Sequence, residues 1–147
     1  MRSQERSLDV VARLKGAAER EAAAALKAAE RRLSEEEARL DAMRAMLEEY
    51  RRGAFASGRP QQLRETRNFL QQLQSGVDAQ TAVVESQRRL TEAARAHWIS
   101  ARLQRDALER IVEEREAADE ERRARIEQKQ ADDRASYARE RFANAVS

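Results

Sequence analysis

His97 is the only histidine of this 147-residue chain, and there is no cysteine. A nucleophile needs a neighbouring base, and a zinc ion needs three or four nitrogen, sulfur or oxygen donors. One imidazole and no thiol therefore exclude a histidine-based triad, a histidine metal cluster and a thiolate metal site. His97 reads as a structural or exposed residue. Gly53 and Gly58 suggest a phosphate-cradling loop, but the Lys and Ser/Thr of a Walker sequence are missing. Carboxylates are plentiful, at 27 Asp and Glu, yet a pair becomes general acid and base only when a cleft desolvates one of them. No catalytic, cofactor-binding or metal-binding residue is assigned, and the expected role is non-enzymatic.

The composition does not favour the elements that would build such a cleft. Charged residues make up 38% of the chain, hydrophobic residues 41% and aromatic residues 4%, with one proline and four glycines. Ala, Glu, Arg and Leu dominate, which are the proportions of a long helix or coiled coil. With so few aromatics and little Ile or Val, the chain cannot fill a compact core of this size, so burial must take the form of a seam.

Basic and acidic residues nearly cancel, at 29 against 27, for a formal net charge of +2. There are no blocks of unopposed Lys and Arg of the kind a phosphate backbone selects, so nucleic acid is not an expected partner. Charges at Arg2, Glu5, Arg6 and Asp9 leave no apolar run for a signal peptide or a membrane span. The expectation is a soluble, cytosolic protein without disulfides.

The apolar residues Leu8, Val11, Leu14, Ala18, Ala22, Leu26, Ala29, Leu33, Leu40, Met43, Leu47 and Tyr50 fall three and four apart. That is the stripe of a helix that supercoils against a partner, clearest in the seven-residue interval of Leu26, Leu33, Leu40 and Leu47. The run Glu35 to Glu37 interrupts it and reads as a solvated face. Between Arg52 and Pro60 lie two of the glycines and the only proline, which predicts a corner. A second stripe follows, from Leu63, Leu70, Leu73, Val77 and Val84 through Thr91, Ala94, Trp98, Ala101, Leu108 and Val112, flanked by Phe69, Val83 and Leu90.

The predicted fold is all-α. Helix 1 runs from about residue 3 to 52, a loop from about 53 to 59 and helix 2 from about 60 to 142, forming one antiparallel coiled-coil hairpin across residues 1–147 with the second helix longer. At ~1.5 Å per residue the helices measure about 75 and 120 Å. Folding about position 56 places Leu40 near Leu73, Leu33 near Gln80 and Leu14 near Trp98, with Gly16 admitting the indole. Helix 1 then ends near Leu108 and leaves 30 to 40 residues of helix 2 without an intramolecular partner. Pairs such as Asp119 with Arg123 and Glu121 with Arg125 would support that extension by ~0.2 to 0.5 kcal/mol each. Near the corner, Met43, Met46, Tyr50, Phe69 and Leu73 exceed what two helices can bury, so about half should face outward, and Met and aromatic side chains are enriched at interface centres.

The pattern Leu47-x-x-Tyr50-x-x-Gly53, then Leu63, Asn68-Phe69-Leu70-x-x-Leu73, Trp98 and Glu127-Gln128-Lys129-x-x-Asp132-Asp133-x-Ala135 resembles the FliJ family of the flagellar type III export apparatus. The resemblance covers nearly the whole chain; the Ala-rich helix 1 and Gly76 depart from it. It implies a protein similar to the γ stalk of rotary ATPases, standing in the ring of the export ATPase FliI. It also implies binding to the cytoplasmic domain of the export gate protein FlhA, handling of export chaperones and a peripheral site at the inner membrane, in the service of motility. On the matching positions the gate-binding surface would comprise Tyr50, Phe69 and Leu73, with Met43 and Met46 beside them and Gly76 and Gln80 continuing the face. The ATPase-binding residues would be Glu127, Gln128, Lys129 and Asp133. The alternatives are an injectisome stalk of the same type and a passive dimeric coiled-coil scaffold.

Overall fold

The computed structural model describes residues 2–53 and 60–146. Two helices account for them: α1, Arg2–Gly53, of 52 residues, and α2, Pro60–Val146, of 87. The expected second helix is therefore found, and it runs four residues past its expected end. Gly53 closes α1 rather than opening the loop, and the rest of the expected turn, residues 54–59, lies outside the described residues. Pro60 suits the first helical position, where its missing N–H leaves no bond unmade. Arg51 and Arg52 in the last turn of α1 complement the negative end of its dipole. With no proline inside either helix, nothing breaks the ladder of backbone hydrogen bonds.

The helices contribute to two compact units, a larger one formed by Lys15–Leu103 and a smaller one formed by Met1–Leu14 with Gln104–Ser147. In the larger unit α1 and α2 pair antiparallel. Leu40, Leu47, Val77 and Val84 form the buried cluster, with Leu33, Met43, Leu70 and Leu73 packed against it. At about 1.5 to 3 kcal/mol for each fully buried aliphatic side chain, this seam is the main source of cohesion. Every inward residue expected on α2 is buried or half-buried, from Leu63 to Val112.

The partners differ from expectation. A fold about position 56 puts Leu70 opposite Met43, yet it is Gly76 whose added Cβ would lie 3.2 Å from Met43 Cε. Gln80 donates to the carbonyl of Glu36, at 3.1 Å, rather than standing by Leu33. Seven-residue repeats fit together equally well when slid by seven, which keeps every inward position while changing its neighbour. The observed register is displaced by about one such step, so α2 begins roughly a heptad beyond the end of α1. Trp98 is accordingly not lodged at Gly16, where an added Cβ would meet only Arg20. The indole instead carries the Arg102 guanidinium 5.5 Å over its ring.

The early part of α1 is also rotated from expectation. Leu14 is 64% exposed and Val11 39%, while Ala12, Lys15 and Glu19 turn partly inward with buried Ala22. The repeat anchored by Leu26, Leu33, Leu40 and Leu47 extends back through Glu19 and Ala12, not through Ala18, Val11 and Leu14. Glu36, expected on a solvated face, lies in the seam with its carboxylate accepting from the Gln80 amide.

In the smaller unit Leu8 and Val112 line one open hollow, which also takes in Gln4 on α1 and residues as far as Arg123 on α2. The first turns of α1 therefore stand beside residues 112–123, not short of them near Leu108, as the one-heptad displacement requires. From Glu120 to Val146 every residue is exposed. Among the described residues no helix is long and apolar enough to cross a membrane.

Candidate protein-binding surfaces

Tyr50, in the last turn of α1, and Phe69, in the third turn of α2, bring their rings to 4.7 Å between centroids at a tilt of 53°. An edge-inclined aromatic pair of this kind is worth ~0.5 to 1.5 kcal/mol beyond its burial, yet Tyr50 remains 46% and Phe69 40% exposed. Met46, 49% exposed, is the third large side chain at this end of the larger unit left open to solvent.

The other residues considered for this face turn inward. Met43 and Leu73 pack on the buried cluster. Gly76 sits half-buried and gives the Met43 methyl its room, which accounts for a glycine on a face where bulk was expected. Gln80 is buried, its amide held by both the carbonyl and the carboxylate of Glu36. An exposed contact surface here thus consists of Met46, Tyr50 and Phe69, with Met43, Leu73, Gly76 and Gln80 behind it.

Farther along the seam Gln87 donates to the Ala29 carbonyl at 3.3 Å, and the Thr91 hydroxyl lies 3.4 Å from the same oxygen. Gln80, Gln87 and Thr91 are all buried. These bonds satisfy polar groups that would otherwise cost ~1 to 3 kcal/mol each, and polar seam positions fix register at some expense of stability. The sequence held the signal: Gln80 and Gln87 follow Val77 and Val84 by three residues and so must face the same way. One flank of the seam is laced by Arg51 with Gln74 at 3.0 Å, Arg88 with Glu37 at 3.4 Å and Arg95 with Glu30 at 3.5 Å.

The second group considered, Glu127, Gln128, Lys129 and Asp133, lies wholly in the exposed stretch of the smaller unit. Consecutive helical residues point about 100° apart, so Glu127, Gln128 and Lys129 do not share a face, whereas Lys129 and Asp133 do. Gln128 donates to Asp132 one turn on, at 3.2 Å. The stretch is held by such local contacts, including Glu121 with Arg125 at 3.7 Å and Asp119 with Arg122 at 3.8 Å. The last of these replaces the expected Asp119–Arg123 pair, since residues three and four apart are both neighbours on a helix. Near the end of α2, Tyr137 and Phe142 are 65% and 73% exposed. Among the described residues no three His, Asp or Glu side chains gather as a metal ligand set.

A seam of heptads between two helices, polar bridges along its flank and large side chains left outside define a coiled-coil hairpin. Within that class, residues 4–143 match the family model described as the flagellar FliJ protein. The chain belongs to the FliJ family and is thus a protein of the flagellar export apparatus. It matches no curated protein and no solved structure.

Proposed function

We propose that this chain is the stalk of the flagellar export ATPase. Its C-terminal helix enters the ring of the hexameric ATPase FliI, promotes assembly of that ring and couples it to the export gate. The observation that carries this reading is the uninterrupted helical stretch from Glu120 to Val146, exposed at every residue. A helix exposed at every residue presents side chains all round, which is what a ring surrounding it would contact. Within the stretch, Glu127, Gln128, Lys129 and Asp133 are the residues assigned to the ATPase. The stalk does no chemistry: it biases ring subunits by binding their states with different affinity.

Met46, Tyr50 and Phe69 form the second docking point, assigned to the cytoplasmic domain of the gate protein FlhA and backed by Met43, Leu73, Gly76 and Gln80. Export chaperones are the third partner class, and the protein works peripherally at the cytoplasmic side of the inner membrane. The test is to mix the purified chain with the cognate ATPase and gate domain and measure binding and turnover. Tyr50→Ala with Phe69→Ala should weaken gate binding while helicity is retained and melting falls by only a few degrees, the loss of one half-exposed ring pair. A collapse of helicity would make the pair core residues instead, and unchanged gate binding would remove this surface from the proposal.

A further inference from the structure

The two flanks of the seam in the larger unit are chemically unlike. On one, the cross-helix contacts Arg51 with Gln74, Glu37 with Arg88 and Glu30 with Arg95 follow one another at steps of fourteen and then seven residues along each helix. The opposite flank follows from the same register. It sets Met46 beside Phe69, Arg39 beside Gly76, Arg32 beside Val83 and Ala25 beside Leu90. No rung of this second ladder can form a cross-helix ion pair, because Gly76 and Val83 offer the arginines no side-chain acceptor.

Val83 and Leu90 are 45% and 59% exposed. The next row outward on α2, Gln72, Ala79, Ser86 and Ala93, carries no charge either, although 38% of the chain is charged. Small residues on that row let another helix approach closely around the larger Val83 and Leu90. The only charges on the ladder are Arg32 and Arg39, and Arg39, 67% exposed, reaches Glu36 on its own helix at 3.8 Å.

We infer that this flank, centred on Val83, Leu90, Arg32 and Arg39, is a docking groove for a single amphipathic helix of a partner protein whose apolar stripe is bordered by acidic residues. Apolar positions of that helix seat on Val83 and Leu90, and its carboxylates meet Arg32 and Arg39, converting the two-helix seam locally into a three-helix one. A second copy of this chain is the poorer occupant, because the groove would then bring the same two arginines against their duplicates. The groove lies on the same flank as Met46, Phe69 and Gly76 but is centred two and three heptads beyond Phe69, at Val83 and Leu90, and it uses none of the residues of the exposed C-terminal stretch.

The probe is a synthetic three-heptad peptide with Leu at the two inward positions of each heptad and Glu at the flanking positions, compared with its Lys-flanked counterpart. Binding to the full chain is read by fluorescence anisotropy. Two exposed Arg–Glu attractions in place of two Arg–Lys repulsions give the Glu peptide roughly tenfold tighter binding than the Lys peptide. Val83→Asp with Leu90→Asp, both outside the seam, should abolish binding while circular dichroism stays unchanged. Tyr137→Ala with Phe142→Ala should leave it intact. Equal affinity for both peptides, absence of binding, or indifference to the Val83 and Leu90 changes overturns the inference. Concentration-dependent dimerisation in ultracentrifugation that Leu90→Asp removes would also overturn it, by giving the groove to a second copy.

Discussion

Replacing Gly76 by Ala sets two opposing effects against each other at one site. A glycine inside a helix costs about 0.5 to 1 kcal/mol relative to alanine, so the substitution gains that much from the backbone. The new Cβ would lie 3.2 Å from Met43 Cε, closer than the ~3.5 to 4.0 Å at which carbon atoms attract best. The atom in the way is the far end of an unbranched side chain with three rotatable bonds, and a displacement of a few tenths of an ångström relieves the contact. Its cost is at most about 0.5 kcal/mol, the low end for an off-rotamer torsion. The net expectation is a gain of about 0.5 kcal/mol, measured as a higher urea midpoint at unchanged slope by circular dichroism. In a Met43→Ala background the same change should gain the full ~1 kcal/mol, so a double-mutant cycle returns a coupling no larger than about 0.5 kcal/mol. A loss of more than about 1 kcal/mol from Gly76→Ala, absent when Met43 is removed, would refute the reasoning, because Met43 would then be locked rather than adaptable.

Leu40, 5% exposed, and Leu14, 64% exposed, separate the observed phase of α1 from the one expected of its apolar stripe. Leu40→Ala should cost ~2 to 4 kcal/mol and Leu14→Ala no more than about 0.5, and similar costs in chemical denaturation would contradict the phase described. The Glu37–Arg88 pair is exposed at both ends, so its coupling by double-mutant cycle should be ~0.2 to 1 kcal/mol and should shrink in 1 M salt. A salt-independent coupling would point to a packing contact instead. Removing residues 124–147 leaves the seam and its flanks whole; ATPase stimulation should disappear while the melting of the remainder persists, and retained stimulation would move that contact to the hairpin.

The fold was legible because its signals are local and redundant. Pro60 marked the start of α2, and the inward residues of α2 repeat every three and four positions from Leu63 to Val112. Register was not legible, because a heptad pattern is satisfied equally at any sevenfold displacement. What selects among displacements is pairwise: Met43 against Gly76, Glu36 against Gln80, Glu30 and Glu37 each against an arginine. The phase of early α1 misled because alanines abound on several faces there, so Leu14 and Val11 looked like members of a stripe that in fact continues through Glu19 and Ala12. Residue types placed Met46, Tyr50 and Phe69 in one group with Met43 and Leu73, without separating these exposed three from the two that turn inward. They could not show that Gln80 faces Glu36 across the seam.

The stretch from Glu120 to Val146 has a thermodynamic consequence of its own. A free helix must first nucleate, at odds near one in a thousand, but this one grows out of a turn already formed in α2 and needs only to propagate. Its amides are guarded by nothing beyond one turn of backbone, so they should exchange with deuterium, and its peptide bonds yield to protease, well ahead of those beside Val84. A protein closing around it therefore meets a segment already in shape and loses little entropy in gripping it, and the slowing of that exchange would count the turns held.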